Sequence, residues 1–190
     1  MPARAGITAF NSTPLLSVNE FAVTLAGHRR LYSATAPRYS PLVHAFTLTI
    51  DIDASPARVW HALCDPAEVV QWDVGVCAAL DAPPDYPQPG QHVRWRCRHG
   101  VFRILHDRPQ EVVRERTLRS LLRAGPFYFD ETYTLAARGG GCRLTAALEV
   151  RLPLGVIGWA FERLYLGPHT RATVQASLDA IKRHCEADRR

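Results

Sequence analysis

In FYFDETYTLAA, residues 127–137, a glutamate stands between two aromatic residues on what reads as one face of a strand. Phe127, Phe129, Glu131, Tyr133 and Leu135 share one phase of a period-two pattern; Tyr128, Asp130, Thr132 and Thr134 share the other. An ionised carboxylate is seldom buried without a partner, so an inward Glu131 needs a cation, water or a raised pKa. Desolvation would bring it into the range of a general acid or base near neutral pH, which enolisation, aldol closure or dehydration requires. Tyr133 could hydrogen-bond a phenol or enolate oxygen. Two plainer readings stand beside this one: a structural ion pair with Arg171, or a strand phased the other way.

Two histidines extend the set of proton carriers. HVRWRCRHG, residues 92–100, alternates Val93, Trp95, Cys97 and His99 against Arg94, Arg96 and Arg98. VFRILHD, residues 101–107, reads with Phe102, Ile104 and His106 inward. His99 and His106 could shuttle protons, but each is also near a strand end, where a histidine commonly meets solvent. Cys97 and Cys142 face inward too and read as inert buried thiols.

Other chemistries find no footing. There is no Gly-rich phosphate loop, GxSxG elbow or HExxH pair. The five cysteines are odd in number and lack CxxC or Cys/His ligand spacing, so no disulfide framework or zinc site is expected, and reduced thiols suit a cytoplasmic location. The net charge of +5 comes mostly from arginine. Arg94, Arg96, Arg98 and Arg103 could make a basic patch, but the interleaved exposed aromatics of a nucleic-acid surface are missing, so no nucleic-acid partner is expected. No apolar run reaches the roughly 18 residues of a membrane span, and no signal peptide is read at the N-terminus.

The elements that must position these residues follow in order. FTLTIDID reads as a half-buried strand. Ser55 with Pro56, then Asp65 with Pro66 and a cap-reaching Glu68, start two short helices. VGVCAAL and the proline-rich loop DAPPDYPQPG come next. QHVRWRCRH, VFRILHD, EVVRERTLRS, FYFDETYTLAA and CRLTAALEVRL then read as successive antiparallel strands. Ile157, Phe161, Leu164, Val174, Leu178, Ile181 and Cys185 form a stripe on a C-terminal helix over 154–185, interrupted at Gly167 and Pro168. Residues 1–43 are broken by Pro2, Pro14, Pro37 and Pro41 and read as a partly ordered N-terminal arm. Within them SVNEFAVTLAG fits either a helix capped by Ser17 and Glu20 or a strand.

The segments IDIDASPARVWHALCDPAEVVQWDVGV, GPF, GGGCRLTAALEVRLPLG and LDAIKRHCE give this chain, from Val43 to Glu186, a form that resembles the START-related helix-grip superfamily. That superfamily includes START lipid-transfer domains, plant pathogenesis-related allergens and bacterial polyketide cyclase/dehydratase proteins. The resemblance implies an α+β domain over 44–190, in which a curved seven-stranded antiparallel sheet wraps a long C-terminal helix and leaves a ligand cavity. The walls expected are Trp95, Phe102, Ile104, Phe127, Phe129, Leu144, Leu148, Phe161, Leu164 and Arg171, with Glu131, Tyr133, His99 and His106 as the groups for chemistry. Aromatic side chains also fill cores without binding anything. The function implied is a cofactor-independent cyclase/dehydratase acting on a polyketide-like intermediate. The alternative is a carrier or sensor of a lipid, quinone or pigment. The partner expected is a hydrophobic small molecule, with a homodimer as an open assembly.

Overall fold

A computed structural model describes residues 42–152 and 167–187, which fall in one compact unit, Tyr39–Arg190. The N-terminal arm, the Ser17 cap and Ile157, Phe161 and Leu164 lie outside the described residues. The strands are β1 (Leu42–Ile52), β2 (Val76–Ala79), β3 (Val93–Cys97), β4 (Ile104–Val113), β5 (Thr117–Ala124), β6 (Phe127–Arg138) and β7 (Gly141–Leu152). The helices are α1 (Pro56–Cys64), α2 (Pro66–Trp72) and α3 (Gly167–Ala187). All seven strands form one antiparallel sheet in the order β1-β7-β6-β5-β4-β3-β2. This is the helix-grip arrangement.

Local chemistry starts both short helices where their caps stand. Ser55 Oγ accepts from the Arg58 amide at 3.2 Å, and Asp65 Oδ1 accepts from the Ala67 amide at 2.8 Å, each just ahead of a proline that has no amide hydrogen to lose. Glu68 does not reach back to its cap as the sequence suggests. Its Oε2 accepts from Arg58 Nη1 at 2.7 Å and pairs with His184 Nε2 at 2.9 Å, while Oε1 pairs with His61 Nδ1 at 2.7 Å. Charge-assisted bonds outweigh one backbone amide. Burial works to raise the Glu68 pKa, but the bonds to His184, Arg58 and His61 prevail and hold it below the usual carboxyl value. Glu68 thereby ties α1, α2 and α3 together.

The core lies against the β1–β7 half of the sheet. Cys142, Leu144, Ala146, Leu148 and Val150 of β7 are buried in strict alternation. Phe46 and Leu48 of β1 sit opposite Leu148 and Ala146. Leu178, Ile181 and Cys185 of α3 and Val59, Ala62 and Leu63 of α1 complete the cluster. Burying each of the larger aliphatic side chains contributes roughly 1.5–3 kcal/mol.

Strand β4 differs from its sequence reading in two ways. The β3–β4 connection spans residues 98–103, closed by the Cys97 amide on the Arg103 carbonyl at 2.9 Å. Trp95 therefore pairs with Leu105 and Val93 with Asp107, while Arg94 pairs with His106 and Arg96 with Ile104. Cross-strand partners share a face, so Leu105 and Asp107 point inward and Ile104 and His106 outward. The expected phase is reversed. The strand also continues through Pro109, past the last β3–β4 pair at Asp107, where the missing amide hydrogen leaves no β3 bond unmade. EVVRERTLRS is thus divided, its middle making a turn in which Glu115 has φ 58°.

Candidate functional site

The interior is open beneath α1 and α2. A pocket with about 70 Å³ of internal space, open to solvent at its mouth, lies between these helices and the inner faces of β2 to β6. Trp72, Trp95, Leu105, Leu118 and Leu122 supply much of its apolar wall. The indole nitrogen of Trp72 is anchored to the Ala62 carbonyl at 2.8 Å. Among the polar groups on the wall are Asp73, Tyr86, Asp107, Ser120, Glu131 and Tyr133.

Strand period two places Glu131 and Tyr133 side by side on the inner face. The Tyr133 hydroxyl donates to Glu131 Oε1 at 3.0 Å. Burial pushes the Glu131 pKa from 4.5 up to about 8, helped by the negative charges of Asp73 and Asp107 and opposed by the Tyr133 hydrogen bond. The Tyr133 phenol is driven well above its ordinary value by burial and by the Glu131 and Asp73 carboxylates. Near neutral pH Glu131 is therefore a protonated acid able to give a proton and take one back, with a neutral hydroxyl beside it.

A second polar group occupies the wall formed by β4 and the loop before β3. Asp107 Oδ2 accepts from Tyr86 Oη at 2.8 Å and from Trp95 Nε1 at 3.1 Å. Asp107 is 5% exposed and Ser120 6%. Asp107 Oδ1 and Ser120 Oγ make no well-aligned hydrogen bond among the described residues, although the hydroxyl stands near enough to favour the ionised carboxylate. Burial prevails and raises the Asp107 pKa. Asp73 is also raised by burial, while its Oδ1 accepts from the Gly75 amide at 2.6 Å and the Val76 amide at 3.3 Å. Three carboxyl groups thus surround one hollow, each resisting ionisation.

Of the residues singled out from sequence, Glu131, Tyr133 and Trp95 line the cavity. Phe129 packs, half-buried, against the core, and Leu144 and Leu148 lie within it. His106 is on the outer face, its ring stacked on His92 at 5.2 Å. Ile104 is on that face too, opposite Arg96. His99 is exposed in the 98–103 loop. Phe102, in the same loop, meets Phe127 edge-on at 5.5 Å, away from the carboxyl groups. Arg171 is exposed and lies over the Phe46 ring at 5.7 Å rather than beside Glu131. Phe161 and Leu164 are outside the described residues.

Asp73, Tyr86, Asp107 and Ser120 escaped the sequence reading. Asp107 would have emerged from pairing Trp95 with Leu105 across a six-residue loop. Tyr86, the lone aromatic of the proline-rich loop, is a visible signal of an anchored side chain. Among the described residues, His61, Asp65 and Glu68 have ligand atoms within 4.8 Å of one another, but Arg58 already donates to Glu68 there, and its charge opposes a metal ion.

A sequence model of the family described as polyketide cyclase / dehydrase and lipid transport matches residues 43–186. No curated protein matches. Among solved structures, a protein of Chromobacterium violaceum is 20% identical with a TM-score of 0.61, over 75% of this chain and 96% of that one. A norcoclaurine synthase of Thalictrum flavum, bound to a transition-state analogue, is 13% identical with a TM-score of 0.61, over 80% of this chain and 100% of that one. DynU16, a protein of the dynemicin biosynthetic locus, is 21% identical with a TM-score of 0.53, over 75% of this chain and 47% of that one. At these identities the likeness is one of fold.

Proposed function

Because the chain belongs to the polyketide cyclase / dehydrase and lipid transport family, we propose that it binds a hydrophobic small molecule in its cavity and promotes cyclisation or dehydration of a natural-product intermediate. The observation that carries this reading is Glu131: a carboxyl raised to about 8 by burial, lining the hollow, with the Tyr133 hydroxyl donating to it. A flexible substrate confined in the hollow that Trp72 and Trp95 help to line has few conformers left, which turns a rare ring-closing geometry into a frequent one. Tyr133 can hold a substrate carbonyl oxygen as it becomes enolic. Protonated Glu131 gives its proton to a carbonyl or departing hydroxyl oxygen, and the carboxylate so formed takes a proton from the adjacent carbon. The proton balance closes with Glu131 restored. The dynemicin-locus protein and the norcoclaurine synthase support a biosynthetic setting by fold likeness.

The test compares wild type and Glu131→Gln for ligand affinity and for product formation from poly-oxygenated candidates. Turnover lost with affinity retained supports the acid–base role. Unchanged turnover removes Glu131 from the chemistry. Absence of turnover, with an apolar molecule found by native mass spectrometry to co-purify, favours a carrier.

A further inference from the structure

We propose that the cavity selects a ligand bearing a protonated amine on an aromatic frame. This rests on reading the cavity as the substrate site and narrows the substrate class. Asp73, Asp107 and Glu131 all line the hollow, and no lysine, arginine or histidine is among the described residues that line it. The bonds these carboxyls accept within the wall come from uncharged donors: the Tyr133 and Tyr86 hydroxyls, the Trp95 indole and the amides of Gly75 and Val76. Asp107 Oδ1 makes no well-aligned hydrogen bond among the described residues, with only the uncharged Ser120 hydroxyl near the carboxylate, in a side chain 5% exposed on the cavity wall.

Two basic side chains among the described residues act on these groups from outside the wall. Arg98 favours ionised Asp73, but its Nη2 donates to the Val70 carbonyl at 2.9 Å. His92 favours ionised Asp107 and stacks on His106. Neither enters the hollow. Like charges this close cannot all ionise without a counter-ion, and a ligand cation supplies one. A ligand carboxylate would add another negative charge. The Trp72 and Trp95 rings suit an aromatic frame, and a cation is also attracted to an indole face.

Isothermal titration of the full chain with phenethylamine, its alcohol isostere 2-phenylethanol and its carboxylate counterpart 3-phenylpropionate reads the preference directly. The amine is expected to bind at least tenfold more tightly than the alcohol, with the carboxylate weakest. Glu131→Gln and Asp107→Asn should each shrink the amine-to-alcohol ratio severalfold, with a cooperative thermal melt of each variant showing that it folds; a ratio unchanged in both folded variants overturns the proposal. An alcohol that binds as well as the amine, a preferred carboxylate, or no binding by any of the three overturns the proposal. Should the alcohol match the amine while Glu131→Gln still abolishes turnover of a neutral substrate, the acid–base reading stands and this inference fails. Should the amine preference hold while Glu131→Gln turns over normally, this inference stands and that reading fails.

Discussion

Tyr133 and Glu131 are hydrogen-bonded neighbours two residues apart on one strand, 3.0 Å from phenol oxygen to carboxyl oxygen. Because both project from the same face of β6, which is paired along its length with β5 and β7, the sheet ladder fixes the acid and its donor together. Small local changes to this pair should be readable in proton chemistry without disturbing the fold.

Tyr133→Phe removes a donor that favours ionised Glu131. The Glu131 pKa should rise beyond about 8, and the corresponding limb of the pH profile of turnover should move to higher pH. A limb that stays in place, or moves down, contradicts the role given to this bond.

Glu131 also imposes a pH slope on stability. The unfolded chain ionises this group near 4.5 and the folded chain near 8. Between those values the folded state holds a proton that the unfolded state has released. Its contribution is fully present below pH 4.5 and lost as pH rises towards 8, by up to ~1.4 kcal/mol per pH unit. Asp73 and Asp107, raised in the same direction, add to the slope. Urea unfolding at a series of pH values should show Glu131→Gln with a flatter dependence than wild type; parallel curves would sink the claim.

Gly141 tests the join of β1 and β7. A Cβ at this position would stand 2.5 Å from the Ile52 carbonyl oxygen, a backbone atom that cannot swing aside. Gly141→Ala should therefore lower stability by about 1–3 kcal/mol, the cost of overpacking a filled site. A melting temperature equal to that of wild type would show that β1 gives way at no cost.

What the sequence revealed depended on whether a pattern was local. Period two in FYFDETYTLAA and CRLTAALEVRL placed Glu131, Tyr133 and the β7 core, because alternation needs no knowledge of any other strand. The phase of β4 depended on the length of the 98–103 loop, which no period encodes, so His106 and Ile104 exchanged faces with Asp107 and Leu105. Asp73 and Tyr86 lie outside the strands, where side-chain direction follows from tertiary anchoring rather than spacing. Glu68 carried a correct helix-start signal, yet its side chain went to partners as distant in sequence as His184.

The bonds of Glu68 have a mechanical consequence. One carboxylate holds Arg58, His61 and His184, so Leu63, Val69 and Trp72, which cover the hollow, are coupled to the C-terminal rod through a shared electrostatic rivet. Breaking that rivet would free the ceiling of the hollow from the rod without touching the sheet.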